Sequence, residues 1–467
     1  MYQFTAPRKE AHVTQVKEAP NVQELLAKAQ RPSADAMRLH PFYRGKIETV
    51  PKACVRSLDD FSIWYSPGVA APCRAIQKDP DLVYEHTNKW NTVAVVSDGT
   101  RVLGLGDIGP KAGLPVMECK AFLFKLLGGV DAAPIMIDSK DPDEIIRTTL
   151  LIQPAFGGVN LEDLAQPKCF RILDTLREKA EIPMWHDDQQ GTACVTVAGL
   201  LNALKIVGKP IGEVKISFIG SGASNVAITR LCFKAGVDPA RCFIVDSQGI
   251  LHRDRQDIFQ RRAEFVDKWR MCQTTNAEGR KGGIAEALAG ADAVIALSKP
   301  GHGTILPEWI SGMAADPIVF ACANPVPEIW PWEAQAAGAS IFATGRSDFP
   351  NQVNNSLGFP GIFRGALDVR ARTITDEMCI AAAEALADAA PDGGMNPDCI
   401  LPTMISWEVY VQEAVAVGMK AQEQGIARLT VPAEQLYQQA KAMILRSRRI
   451  TEVMMETGLI AEPPVDK

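Results

Sequence analysis

The sequence predicts two α/β domains, the second a Rossmann-type doubly wound parallel sheet, followed by a helical C-terminal extension. Three observations predict it. Beyond Asp188, short β-rich runs alternate with helical segments, the texture of a parallel sheet with crossover helices. One of those runs, Val-Lys-Ile-Ser-Phe-Ile, leads straight into Gly220-Ser-Gly222-Ala-Ser and then a helix. The tail, in contrast, carries mostly amphipathic helical periodicity. The resulting domains are an N-terminal arm over 1–40, a first α/β domain over 41–188, a dinucleotide-binding domain over 189–375 and the extension over 376–467.

In chain order, the arm has a helical stretch at 22–29. The first domain has strands at 92–96, 102–105 and 133–137 and helices at 116–127 and 142–152. The second alternates strand 214–219, helix 223–234, strand 242–245, helix 284–288 and strands 293–297, 318–321 and 341–343. A helix opens at Thr192 and runs to Leu204. Helices fill 376–389 and 406–458, with a Pro/Gly break at 391–397.

Composition limits the partners. The 467 residues are 47% hydrophobic and 22% charged, enough for two or three domains with real cores. Lys plus Arg number 49 against 55 Asp plus Glu, a net charge of −6 that leaves no basic footprint for nucleic acid or an anionic membrane. No apolar run approaches the roughly 18–20 residues of a membrane span, and residues 1–15 lack the apolar core of a signal peptide. The eleven cysteines contain no CxxC pair. Cys194, Cys232 and Cys322 lie in apolar runs and read as reduced, buried thiols of a cytoplasmic protein.

Two glycine motifs compete for the dinucleotide. Gly104-Leu-Gly-Asp-Ile-Gly109 matches GxGxxG literally, but Pro110, Gly113 and Pro115 follow. With no helix expected before about residue 115, it reads as a tight turn between strands. In the better candidate, Gly220 makes the turn, Gly222 lets the backbone approach phosphate and Ala227 packs near the strand, with Ser221, Ala223 and Ser224 between. Asp246, at the end of the next strand, stands where an acid would bind ribose and favour NAD. His252, Arg253 and Arg255 follow closely and could meet a 2′-phosphate, so NAD versus NADP stays open.

Two acidic pairs, Glu162-Asp163 and Asp187-Asp188, stand beside uncharged stretches. Crowded carboxylates need a cation or a proton, and hard oxygen donors without a Cys or His cluster suit Mg²⁺ or Mn²⁺. Asp188 could instead cap the following helix. Projected on a helix, Lys120 falls among Val116, Phe124 and Leu127, opposite Glu118 and Lys125. An apolar setting of that kind lowers a lysine pKa and makes it a candidate base. Tyr65, before a Pro-Gly turn, is a candidate proton donor or a packing residue. His186 reads as structural.

With these residues in place the sequence resembles the malic enzymes, especially the shorter microbial form, over about 39–372. The resemblance rests on Tyr65-Ser-Pro-Gly-Val-Ala, Ser97-Asp-Gly-Thr-Arg-Val-Leu-Gly-Leu-Gly-Asp-Ile-Gly, Pro115-Val-Met-Glu-Cys-Lys120, Leu161-Glu-Asp with Trp185-His-Asp-Asp-Gln-Gln-Gly-Thr, and Asp348-Phe-Pro-Asn-Gln-Val-Asn-Asn355. It implies oxidative decarboxylation of (S)-malate to pyruvate and CO₂, with NAD or NADP reduced. By the same resemblance Lys120 is the base with Asp187 beside it, and Glu162, Asp163 and Asp188 hold the metal. Tyr65 protonates C3 of the enolate, and Arg101 clamps a substrate carboxylate. Asn324, Asn354 and Asn355 bind malate or the nicotinamide side, and the 104–109 turn lines the active site. Cys119 and Ser66 depart from the glycine and threonine usual in the short form.

The same fold would serve malolactic chemistry or another 2-hydroxy acid. A dinucleotide-binding scaffold without activity would tolerate loss of Lys120 and the acids, all of which are present. The amphipathic arm and tail predict a homodimer or larger even oligomer acting on a small molecule, without nucleic acid or membrane.

Overall fold

The structure, a computed structural model, describes residues 22–102, 104–324, 326–346, 348–389 and 394–464. Residues 1–45 with 463–467 make one unit and 46–462 another. In the first, Val22–Tyr43 is one helix, and the Arg38 guanidinium donates to the Pro464 carbonyl. Residues 1–21 of the expected arm, and 391–393 of the expected Pro/Gly break, lie outside the described residues.

The second unit holds two sheets. Strands β1 (Thr92–Ser97), β2 (Asp131–Met136), β3 (Gly158–Leu161) and β4 (Met184–His186) run parallel in the order β2-β1-β3-β4. In β1 the run Val-Ala-Val-Val is fully buried, as expected of a parallel strand covered on both faces. Strands β5 (Ile216–Ile219), β6 (Cys242–Asp246), β7 (Gly249–Ile250), β8 (Ala293–Ala296), β9 (Ile318–Ala321) and β10 (Ile341–Thr344) form the second sheet, in the order β10-β9-β8-β5-β6-β7. Only β7 is antiparallel. The chain leaves β5 for β6 on one side and returns to β8 on the other. The carboxyl ends of β5 and β8 therefore flank a topological switch point, where such sheets bind ligands.

Helix Thr192–Val207 follows the first sheet and is apolar on nearly every side. With the turn before it, Asp187–Val207 is the one helical stretch among the described residues long and apolar enough to cross a membrane. This corrects the expectation that no such run exists. It serves as a core helix, with 72% of that apolar window buried, and Asn202 Nδ2 ties it to the extension by donating to Ala387 O and Ile400 O at 2.8 Å each. An aromatic cluster unites the two domains. Phe124 meets Phe359 and Phe363 at centroid distances of 4.6 and 5.1 Å, and Trp185 meets Phe363 at 6.3 Å.

Two local expectations are corrected. The Lys120 helix is Gly109–Gly128, starting at Gly109 rather than near 115. Pro110 stands in the first turn, where its missing N–H has no intrahelical partner to lose. The strand expected at 102–105 is only a bridge between Val102 and Gly106. A dinucleotide fingerprint needs a strand before it as well as a helix after it. Gly104–Gly109 therefore lacks the strand, not the helix.

Candidate active site

Strand register explains why the two acidic pairs meet. Leu161 pairs with His186 across β3 and β4, and Val96 with Leu161 across β1 and β3. Glu162-Asp163 and Asp187-Asp188 thus emerge side by side at the carboxyl edge of adjacent parallel strands. Ligand oxygens of Glu162, Asp163 and Asp188 all lie within 4.8 Å of one another. Glu162 and Asp163 are buried, and about a third of the Asp188 side chain is exposed. Asp163 holds a left-handed φ of 54°, backbone strain of the kind retained at functional sites.

The surrounding groups aim these acids. Asn160 Nδ2 donates to Glu162 Oε2 at 2.8 Å, and the Asp163 N–H donates to Asp188 Oδ2 at 2.9 Å. Gln189 Nε2 lies 2.9 Å from His186 Nδ1, which leaves Nε2 facing Asp188 Oδ2 at 3.3 Å. His186 is a fully buried support, as read from the sequence. Asp188 does not cap helix Thr192–Val207, whose preceding turn, Asp187–Gly191, is wider than an α-helical one. Burial pushes the Asp188 carboxyl up, but His186, Lys120 and the Asp163 amide bring it below its ordinary value. Three converging hard-oxygen carboxylates, two of them buried, fit Mg²⁺ or Mn²⁺.

Lys120 is 7% exposed on Gly109–Gly128, as the helical projection placed it. Its Nζ lies 2.5 Å from Asp187 Oδ2, 3.1 Å from Glu162 Oε1 and 4.3 Å from the Phe359 ring centroid. The expected lowering of its pKa is overturned. Burial does act downward, but Asp187 and Glu162 outweigh it and hold the ammonium above its ordinary value. Asp187 is fixed on its other side by Trp185 Nε1, which donates to Oδ1 at 3.0 Å. Gly191 makes room for it, since a Cβ there would lie 2.0 Å from Asp187 Oδ1.

A cleft of about 530 Å³ opens from this cluster towards the second sheet. On that side too, register makes a row: Ile219, Ala296, Ala321 and Thr344 align across β5, β8, β9 and β10. Ser298, Asn324 and Gly345 follow these strand ends and line the cleft with Arg101, Gly104, Asn354 and Asn355. Gly222, Ala223 and Ser224 also line it, at the start of helix Ala223–Lys234. Gly220 turns at a φ of 102° and lies against Leu297 O, which a Cβ would approach to 2.5 Å; Ser221 completes the turn. A Cβ at Gly222 would find nothing nearer than Gln166 Nε2 at 4.0 Å, so its absence leaves cradle space at a helix N-terminus. That geometry fits a dinucleotide pyrophosphate.

Two expected residues stand apart. Tyr65 is 74% exposed and is not among the cleft-lining residues. Asp246 ends β6 but is tied by Arg255 at 3.1 and 3.0 Å and approached by Lys268 at 3.3 Å. Arg255 is likewise committed, to Asp246 and Asp257. Sequence reasoning missed Asn160, Asn225, whose Nδ2 donates to Ile219 O and Gly220 O, and the fully buried Glu328. Glu328 had a signal, being the lone charge between Asp316 and Glu333.

Residues 44–177 match the family model for the malic enzyme N-terminal domain, and 189–422 match that for the malic enzyme NAD-binding domain. The chain is 47% identical to a bifunctional malic/malolactic enzyme of Bacillus subtilis, covering 88% of this chain and 98% of that protein. It is 50% identical to an NAD-dependent malic enzyme of Geobacillus stearothermophilus, over 82% of this chain and 78% of the relative. A crystal structure of Entamoeba histolytica malic enzyme superposes with a TM-score of 0.92 at 49% identity, over 96% of this chain and 93% of the other.

Proposed function

The chain belongs to the malic enzyme family, and from that premise we propose how its residues divide the work of catalysis. The reaction is oxidative decarboxylation of (S)-malate to pyruvate and CO₂ with reduction of NAD or NADP. Glu162, Asp163 and Asp188 hold Mg²⁺ or Mn²⁺. Gly220, Ser221, Gly222, Ala223 and Ser224 cradle the dinucleotide phosphates, while Asp246 anchors Arg255 beside the ribose end. When bound, the cation supplies a Lewis acid at the malate C2 oxygen and the dinucleotide an acceptor for the C2 hydride.

Lys120 takes the C2 hydroxyl proton as a neutral amine, after its ammonium has given up a proton to solvent through the open cleft. Asp187 remains the partner of the amine. Arg101 clamps a malate carboxylate. Asn324, Asn354 and Asn355 orient malate and the nicotinamide side. Tyr65 gives a proton to C3 after CO₂ leaves. The observation that carries this reading is the convergence of Lys120–Asp187, the three carboxylates and the Gly222 helix start on one cleft.

The test is an assay with malate, Mn²⁺ and each dinucleotide in turn. Reduced dinucleotide and pyruvate should form together, EDTA should abolish both, and Mn²⁺ or Mg²⁺ should restore them. Full turnover in metal-free buffer overturns the assignment. The likeness to the bifunctional malic/malolactic enzyme of Bacillus subtilis favours a second outcome, lactate and CO₂ without net dinucleotide reduction.

The enzyme works in the cytoplasm, a reading supported by eleven free cysteines. It works as a homodimer or larger even oligomer. Around helix Leu58–Trp64, the side chains of Leu58, Phe61, Ile63 and Trp64 are all more than half exposed, and Tyr65 follows them. An apolar face of this kind calls for a partner, and no tyrosine is among the described residues that line the cleft. A second copy that covers this face would receive Tyr65 in its own cleft, so each site is complete only in the assembly.

A further inference from the structure

Beyond the ends of β8 and β9, the chain makes two loops that form one wall of the cleft, through Ser298 on one and Ala323 and Asn324 on the other. Past the last rung of a parallel ladder, backbone N–H groups lose their strand partners and need others. The Glu328 carboxylate supplies them. Its Oε1 accepts from the Ser298 N–H at 2.8 Å and from Ser298 Oγ at 3.2 Å, and its Oε2 accepts from the Ala323 N–H at 3.1 Å. The side chain is fully buried. Backbone bonds from Gly301 N to Val326 O and from Ile305 N to Glu328 O, both 3.1 Å, bind the same loops behind it.

Asn324 directly follows the clipped Ala323, and its side chain lies against a glycine. A Cβ at Gly345 would come within 2.9 Å of Asn324 Nδ2 and 3.0 Å of Cys322 O, so the amide lies directly on bare backbone. Glu328 thus holds the backbone just before Asn324 through Ala323, and Gly345 leaves room beside its amide. A carboxylate suits the clip because each oxygen accepts from a different loop. An amide of the same shape would turn an N–H₂ towards one of the two N–H donors.

We propose that Glu328 is a positioning residue for the hydride-transfer step. By clipping the Ser298 and Ala323 loops together, it places Asn324 and the loop wall against the nicotinamide. The proposal rests on the malic enzyme reading above. It separates the two halves of the reaction, because Glu162, Asp163 and Asp188, the carboxylates that serve decarboxylation, belong to the other domain.

The experiment compares wild type and Glu328→Gln in two assays on the Mn²⁺-loaded enzyme. Malate oxidation should show a raised KM for the dinucleotide and a kcat lowered by about 10²-fold, the scale of a misplacement near 1 Å. Decarboxylation of oxaloacetate, run without dinucleotide, should continue at the wild-type rate. Wild-type kinetics in both assays would overturn the proposal, as would a parallel loss in both, which marks a general structural defect. If Glu328→Gln does not fold, Glu328→Asp carries the test. Its shorter arm keeps the charge but cannot span both loops, so it should show the same split to a smaller degree. A wild-type enzyme inactive on both malate and oxaloacetate would instead refute the malic enzyme reading.

Discussion

Two facing carboxylates favour the ammonium of Lys120 in the interior, whereas burial favours the neutral acid at Glu413, whose oxygens meet no hydrogen-bond partner among the described residues. Glu413 is fully buried in helix Trp407–Glu423, neither carboxylate oxygen has a hydrogen-bond partner, and burial raises its pKa well above the ordinary value. The folded protein therefore holds a proton that the unfolded chain releases above about pH 4.3. Stability from this group falls as pH rises through that window, by at most about 1.4 kcal/mol per pH unit. Glu413→Gln cannot ionise. Thermal unfolding at pH 5 and pH 8 should show the variant gaining on wild type at the higher pH, and an unchanged gap would show that Glu413 ionises in place. The sequence did not disclose this residue, which shares its helix with Glu408 and Glu423 and fits an ordinary amphipathic pattern. Lys120, Glu162 and Asp187 were legible because they interrupt apolar or uncharged stretches. Glu328 gave the same signal, yet its loop-closing role depends on Ser298 and Ala323, which only the sheet order brings beside it.

At the level of elements, helix Phe359–Asp368 transmits the packing of the extension to the site, since Phe359 faces Lys120. It lies close against helix Trp407–Glu423 because two of its residues have no side chain. A Cβ at Gly361 would meet Glu413 Oε2 at 2.4 Å, and one at Gly365 would meet Ala414 O at 2.3 Å. Gly365→Ala must push the helices apart or strain them. The expected cost is about 1–3 kcal/mol, read as a lower unfolding midpoint with reduced malate turnover. Unchanged stability would mean that this contact is looser than the backbones indicate. The regular strand–helix alternation after Asp188 was readable because β5, β6, β8, β9 and β10 are short apolar runs, whereas the two-residue β7 went unread. In the first domain β3 and β4 went unread, being only four and three residues long. Pro110 and Pro115 were mistaken for barriers to a helix that Pro110 opens.

For the whole molecule, the arm and tail were the sequence grounds for an oligomer, but the exposed apolar side chains around Leu58–Trp64 give a stronger one. They stand beside Tyr65, which is exposed and is not among the described residues that line its own chain's cleft. The two readings of Tyr65 differ in a mixing experiment. Lys120→Ala removes the base and should abolish malate oxidation. Tyr65→Phe leaves the base and should slow turnover by about 10²–10⁴-fold, the contribution of an ordinary general acid. Oxaloacetate would still lose CO₂ in this variant, while exchange of the pyruvate methyl protons in D₂O would be lost. When the two variants are unfolded together and refolded, an enzyme that assembles as proposed should form some dimers with one chain of each. If Tyr65 serves the partner, one cleft in such a dimer combines an intact Lys120 with an intact Tyr65 from the other chain, and activity absent from the Lys120→Ala parent and above the Tyr65→Phe parent returns. If Tyr65 serves its own chain, neither cleft is complete and the mixture shows only the average of its parents. A monomeric mass by light scattering at micromolar concentration would refute the shared site outright, because an isolated chain has no second cleft for Tyr65 to enter.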